Sequence, residues 1–123
     1  PLAVFEQAGV KVVVDHFARP DPQLGVACPG FQAVLRAIER GRTWVKLSAG
    51  FRLPSEQAAQ ACAAELLKFA GPERLVWGSD WPFAAFEDRM TYREAVDGLA
   101  RWVPDAAARR RIGGETALQL YFS

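Results

Sequence analysis

Three short apolar runs constrain the fold of this chain more than any other feature. They cover residues 10–14 (VKVVV), 44–47 (WVKL) and 75–77 (LVW), and each is followed by a polar stretch and then by a helical pattern. The runs lie about thirty residues apart, which is the length of a βαβ unit. Such units build parallel sheets with right-handed crossovers, and strands covered on both faces read as continuous apolar runs. The spacing therefore predicts an α/β fold with a parallel sheet.

Helical signals fill the segments between the apolar runs. A first amphipathic pattern stops at Gly41, and a second begins after Ser55, a candidate N-cap. A capping box at residues 91–94 (TYRE) begins a third helix. Asp105 is expected to cap a short helix that residues 113–114 (GG) break, and residues 117–121 (ALQLY) close the chain. The predicted order is β-α-β-α-β-α-α.

Composition excludes several classes of protein. The chain has 123 residues, of which 50% are hydrophobic and 24% charged, and its net charge is +1. This balance is ordinary for a globular domain and argues against a nucleic-acid binder, which needs a basic excess. No apolar run approaches the ~20 residues that cross a bilayer, so no membrane partner is expected. Cys28 and Cys62 form no disulfide framework, and we expect reduced thiols in a cytoplasmic protein.

Polar side chains follow each of the three apolar runs. In parallel α/β folds the carboxyl ends of the strands meet at one edge of the sheet, where functional residues collect. We therefore expect these side chains to lie close together. They are Asp15, His16 and Arg19 after the first run, Ser48 and Arg52 after the second, and Ser79 and Asp80 after the third.

The ionisable residues in this set each have a structural and a catalytic interpretation. His16, the only histidine of the chain, either makes a structural hydrogen bond or polarises a carbonyl group. Asp80 is either a turn residue or a general base, partly desolvated by the aromatic residues around it. Arg52 and Arg19 are either solvated or bind a substrate carboxylate. His16 and Asp80 are two candidate metal ligands, fewer than the roughly three that a transition-metal site takes from protein.

Four segments of the chain resemble the sequence motifs of one enzyme family. Residues 13–21 (VVDHFARPD) resemble its DH-x-(G/A)-R-P stretch, and residues 44–52 (WVKLSAGFR) its WVKLSG-x-YR strand. Residues 74–82 (RLVWGSDWP) resemble its RLVWG(S/T)DWPH strand, and residues 109–121 are similar to its C-terminal segment. By these motifs the chain resembles the amidohydrolase-related family (amidohydrolase 2), and within it most nearly the 2-pyrone-4,6-dicarboxylate hydrolases, which are lactonases.

This resemblance implies a fold and roles for individual residues. It implies the C-terminal part of a TIM (β/α)8 barrel, with residues 1–123 as a single partial domain. The implied enzyme is a hydrolase that opens a lactone or a related carboxylate-bearing substrate. Asp80 would be the general base, His16 would bind and polarise the scissile carbonyl, and Arg52 would bind a substrate carboxylate, with Arg19 as a weaker candidate. The resemblance leaves open whether the enzyme binds a divalent metal (Zn or Mn) or none.

The chain also departs from the pattern of this family. Phe83 stands where His is frequent, Thr116 where Asn is frequent, and Ala49 where Gly is usual. The early His-x-His pair of the family has no counterpart here. A complete barrel takes about 250 residues and eight strands. Because the chain also begins at Pro1 without Met, we expect it to lack an N-terminal half.

Other functions remain open from the residues alone. Three strands would leave two open sheet edges, so a non-enzymatic half-barrel that self-associates as a homo-oligomer is one alternative. A metal-dependent amidohydrolase or decarboxylase of the same superfamily is another, and a plain ligand-binding module is a third. In the enzymatic interpretations the partner is a small carboxylate or lactone substrate.

Overall fold

The structure, a computed structural model, describes residues 2–122, so that Pro1 and Ser123 lie outside the described residues. A π-helical turn joins the last two helices, and short 3-10 turns follow the first two strands at His16–Ala18 and Gly50–Arg52. The helices and strands are α1 (Leu2–Gln7), β1 (Val12–Val14), α2 (Pro29–Glu39), β2 (Thr43–Leu47), α3 (Glu56–Ala70), β3 (Leu75–Trp77), α4 (Tyr92–Trp102), α5 (Ala106–Arg110) and α6 (Thr116–Phe122).

The three strands form one parallel sheet in the order β1-β2-β3, as the spacing of the apolar runs predicts. Val45 of the central strand pairs with Val14 on one side and with Leu75 on the other. Strand β2 is almost entirely buried, whereas β1 is half-buried along its length. The expectation that the first strand is covered on both faces is therefore wrong for the described residues, whereas the other edge strand, β3, is mostly buried.

One face of the sheet packs against helices α2 and α3. Val45 and Leu75 point to this face and share a buried cluster with Leu35 of α2 and Leu66 of α3. All four side chains are almost completely excluded from solvent. Burial of this apolar area is the main force that holds the crossover helices on the sheet.

The opposite face of the sheet carries the polar residues. Trp44 and Val76 pack there against Leu120 of α6 near the amino ends of the strands. Because side chains alternate along a strand, Lys46 and Ser48 continue this face toward the carboxyl ends. The same face therefore changes from apolar to polar along the strand direction.

Helix boundaries follow the predicted capping residues. The Ser55 hydroxyl accepts a hydrogen bond from the Ala58 amide at the start of α3. At the start of α4 the predicted capping box is complete, with Thr91 and Glu94 each bonding the other's backbone amide. Asp105 caps α5 as predicted. These signals are local in sequence, which is why they could be recognised without the fold.

Two features of the helices differ from the prediction. Helix α1 was not predicted, and none of its residues is buried. The pair Gly113 and Gly114 does not break the helix that Asp105 caps, since a π-helical turn at Arg111–Glu115 continues α5 directly into α6. The wider turn lets Ile112 and Thr116 both face the core, where the Thr116 hydroxyl donates to the Pro72 carbonyl oxygen at 2.6 Å. This packing outweighs the preference of glycine for a helix end.

Both cysteines are free, as predicted, and their thiols differ in environment. Hydrogen bonds from the backbone of Asp21 and then of Phe31 lower the pKa of the half-buried Cys28 thiol, whereas burial raises the pKa of the Cys62 thiol. Thiolate is the reactive form, so Cys28 should react with iodoacetamide faster than Cys62 at neutral pH. Its labelling rate should also reach half-maximum at a lower pH. Peptide mass spectrometry after timed labelling measures both rates, and faster labelling of Cys62 would contradict the expectation.

No helix among residues 2–122 combines the length and the apolar character that crossing a bilayer requires.

Candidate active site

The carboxyl ends of the three strands bring four polar side chains together. His16 follows β1, Ser48 and Arg52 follow β2, and Asp80 follows β3. His16 Nδ1 lies 2.8 Å from Ser48 Oγ, and His16 Nε2 lies 3.7 Å from Asp80 Oδ1. Arg52 Nε donates to Asp80 Oδ2 at 3.0 Å. An imidazole, a carboxylate and a guanidinium thus meet at one edge of the sheet.

Left-handed backbone conformations shape this edge. His16, Ala49 and Asp80 have φ values of 53°, 55° and 63°, a region that non-glycine residues rarely occupy. Such conformations cost about 1–3 kcal/mol each and cluster at functional sites, where the surrounding fold holds them. The value at Ala49 explains why a glycine suits this position in the family pattern.

Arg52 is held by several contacts besides its pair with Asp80. Its Nη2 donates to the Ala84 carbonyl oxygen at 2.9 Å, and its guanidinium lies about 5 Å from the ring centres of Phe51 and Phe86. Two of its nitrogens are therefore engaged within the chain, which leaves Nη1 to reach a ligand. Arg52 thus links the Asp80 carboxylate to the backbone of the segment that follows β3.

Two cavities lie near the strand ends. The smaller, of about 180 Å³, is lined in part by His16, Arg19 and Arg52, so two guanidinium groups and an imidazole face it. The larger, of about 530 Å³, passes Gly78 and reaches Trp102 but includes none of His16, Arg52 and Asp80. Asp80 lines neither cavity, but His16 and Arg52, the two residues paired with its carboxylate, both line the smaller one.

The aromatic residues around Asp80 do not all shield it. Trp81 is 69% exposed, whereas Phe83 is buried and lies edge-on to Phe51 with ring centres 5.9 Å apart. The Asp80 side chain itself is 22% exposed. Phe83, which stands where the family pattern has His, therefore supports the aromatic surroundings of Arg52.

Lys46 is a charged residue of this face that is not among the residues predicted for the site. It lies on β2 between buried Val45 and Leu47, and its Nζ pairs with Asp15 Oδ1 at 2.8 Å. A side chain at Gly78 would meet the Lys46 chain at 2.9 Å, so glycine leaves the space in which Lys46 lies. A lysine inside an apolar strand was the signal that could have identified it.

The residues present fit a metal poorly by themselves. No three His, Cys, Asp or Glu side chains in residues 2–122 are grouped so that they could hold a metal ion. His16 and Asp80 are neighbours, but Asp80 already carries a cationic partner in Arg52. Ligands from the described part of the chain alone would not complete a transition-metal site.

A parallel sheet with ionisable residues at the carboxyl ends of its strands defines an α/β protein of the kind that places active sites there. The model of one such family, described as amidohydrolase, matches residues 3–122, and the chain belongs to this family. The predicted family resemblance is confirmed.

Similar proteins carry names from lactone chemistry. The chain is 33% identical over 115 residues to the 4-sulfomuconolactone hydrolase of Hydrogenophaga intermedia. The aligned region covers 86% of this chain and 37% of that protein. A structure from Pseudomonas putida assigned as 2-pyrone-4,6-dicarboxylic acid hydrolase superposes with a TM-score of 0.87 at 32% identity. The superposition covers 97% of this chain and 46% of the Pseudomonas putida chain.

A third comparison concerns a metal. An amidohydrolase structure from Burkholderia multivorans with bound zinc has a TM-score of 0.77 and 27% identity, and covers 98% of this chain and 47% of that one. The chain thus spans less than half the length of each of these three proteins. Metal binding therefore occurs among similar proteins.

Proposed function

We propose that residues 1–123 form a single partial domain, the C-terminal portion of an amidohydrolase-type TIM barrel. The whole protein then hydrolyses a lactone or a related carboxylate-bearing substrate similar to 2-pyrone-4,6-dicarboxylate. The observation that carries this proposal is the cluster of His16, Arg52 and Asp80 at the strand ends. The lactone hydrolase names of similar proteins support the substrate class.

The cluster can perform a water attack on an ester carbonyl. Asp80 takes a proton from water as the water oxygen bonds to the lactone carbonyl carbon. The imidazole of His16 donates a hydrogen bond to the carbonyl oxygen and stabilises the negative charge that develops there. Collapse of the tetrahedral intermediate breaks the ring C–O bond, and Asp80 returns the proton to the leaving oxygen. The product is the ring-opened acid.

The two arginines provide the recognition of substrate charge. Arg19 is exposed and lines the smaller cavity together with Arg52. Guanidinium groups bind carboxylates with charge-assisted hydrogen bonds, so an anionic substituent on the lactone suits this cavity.

A substrate panel tests this function. The whole natural protein that contains this chain should hydrolyse 2-pyrone-4,6-dicarboxylate or 4-sulfomuconolactone at least about a millionfold faster than buffer does. A matched 2-pyrone without carboxylates should react about a hundredfold more slowly, because each lost charged hydrogen bond weakens binding. Loss of pyrone absorbance follows the reaction. Failure to open any anionic lactone, with or without added zinc or manganese, would reject the proposal.

A further inference from the structure

The buried serine at the end of β2 has a contact that the mechanism above does not use. The Ser48 side chain is fully buried, with 0% of the residue exposed, and its Oγ lies 2.8 Å from His16 Nδ1. Ala49, in the left-handed conformation, follows it and turns the chain at this point. A hydroxyl in such a place loses free energy unless it is hydrogen-bonded, so this contact is a fixed part of the site.

The surroundings of the ring decide which nitrogen carries the proton. A neutral imidazole has one N–H donor and one acceptor nitrogen. Nε2 lies 3.7 Å from Oδ1 of the Asp80 carboxylate, which is paired with Arg52; an ionised carboxylate accepts hydrogen bonds and donates none. A proton on Nδ1 would leave the lone pair of Nε2 facing that carboxylate. A proton on Nε2 avoids this repulsion and makes Nδ1 the acceptor for the Ser48 hydroxyl.

We propose that Ser48 is a positioning residue that donates its hydroxyl hydrogen to His16 Nδ1 and thereby fixes His16 in the Nε2–H tautomer. The hydrogen bond also fixes the rotation of the ring, since it ties the ring to the buried end of the central strand. For catalysis this inference rests on the proposed function, where the N–H of His16 polarises the lactone carbonyl. The tautomer itself is independent of any activity.

The tautomer can be measured in the unmodified protein. Two-bond ¹H–¹⁵N correlation spectra of the whole natural protein distinguish a protonated from an unprotonated ring nitrogen, at a pH where the ring is neutral. The signals of His16 are those missing from a His16→Gln variant. We expect a protonated Nε2 and an unprotonated Nδ1. The opposite pattern would overturn the proposal, whether or not the protein hydrolyses a lactone.

A Ser48→Ala variant tests the role of the hydroxyl. The 3.7 Å contact with Asp80 is longer than a hydrogen bond and alone only biases the ring, so the His16 spectrum of this variant should show a mixture of tautomers. We expect kcat to fall about tenfold, the effect of one hydrogen bond, while KM changes less than twofold. Ser48→Thr keeps the hydroxyl and should restore the single tautomer. An unchanged tautomer in Ser48→Ala would contradict the proposal. If Ser48→Ala does not fold, the spectrum of the unmodified protein still decides.

A second serine provides the matched control. Ser55→Ala removes the hydroxyl that caps α3, so it lowers stability by a purely structural route. Its His16 spectrum and kcat should match those of the unmodified protein. A tautomer change in Ser55→Ala as large as in Ser48→Ala would show that destabilisation alone moves the ring, and would overturn the assignment of Ser48.

Discussion

An Asp80→Asn variant of the whole protein should lose at least about a thousandfold in kcat/KM for its lactone, within the range removed with a general base. Asparagine has nearly the same shape and its oxygen can still accept from Arg52 Nε, so the 3.0 Å contact can persist. What disappears is the ability to take a proton from water at neutral pH. Initial rates with the best lactone of the panel measure the loss.

The control for this variant lies in the same segment. Asp88 is an exposed carboxylate eight residues further along the chain, so Asp88→Asn removes the same charge away from the strand ends. We expect this variant to keep its activity within a factor of about two, as surface substitutions usually do. An Asp80→Asn protein that folds and retains a tenth of the activity would exclude Asp80 as the general base.

The layout of the fold could be predicted because its signals are short-range. Apolar runs at the spacing of a βαβ unit predicted the parallel sheet, and the capping residues Ser55, Thr91 and Asp105 predicted where helices begin. The meeting of His16 with Asp80 followed from one further step. Parallel strands end at one edge, so residues far apart in sequence come together there.

The contacts within the site could not be predicted in the same way. The pairing of Arg52 with Asp80 depends on the 3-10 turn after β2 and on residues with a left-handed backbone conformation, which no local sequence pattern predicts. The pair of Lys46 with Asp15 depends on which face of β2 is covered by helices. The π-helical turn at Arg111–Glu115 depends on the burial of Ile112 against the rest of the core. Each is decided by tertiary packing, which overrides local preference.

Trp102→Ala should cost about 3–5 kcal/mol in the free energy of unfolding, as truncation of a buried aromatic residue usually does. Trp102 is 7% exposed and meets Phe17 edge-on, with ring centres 4.9 Å apart. Its Nε1 donates to Glu56 at 3.0 Å. An added side chain at Gly50 would lie 2.4 Å from the indole ring, and one at Gly98 would lie 2.8 Å from it. The ring therefore fills a slot that only these glycines leave open.

Trp81→Ala is the matched control, since Trp81 is the same residue type but 69% exposed. Its loss should be below about 1 kcal/mol, because little apolar area returns to water. Denaturant unfolding of the whole protein measures both variants, and equal losses of the free energy of unfolding would contradict the packing role of Trp102.

The loss of packing in Trp102→Ala should also affect the candidate active site. Gly50 begins the turn that carries Arg52, so an emptied slot would loosen the guanidinium that orients Asp80. Trp102→Ala should therefore lower kcat as well as stability.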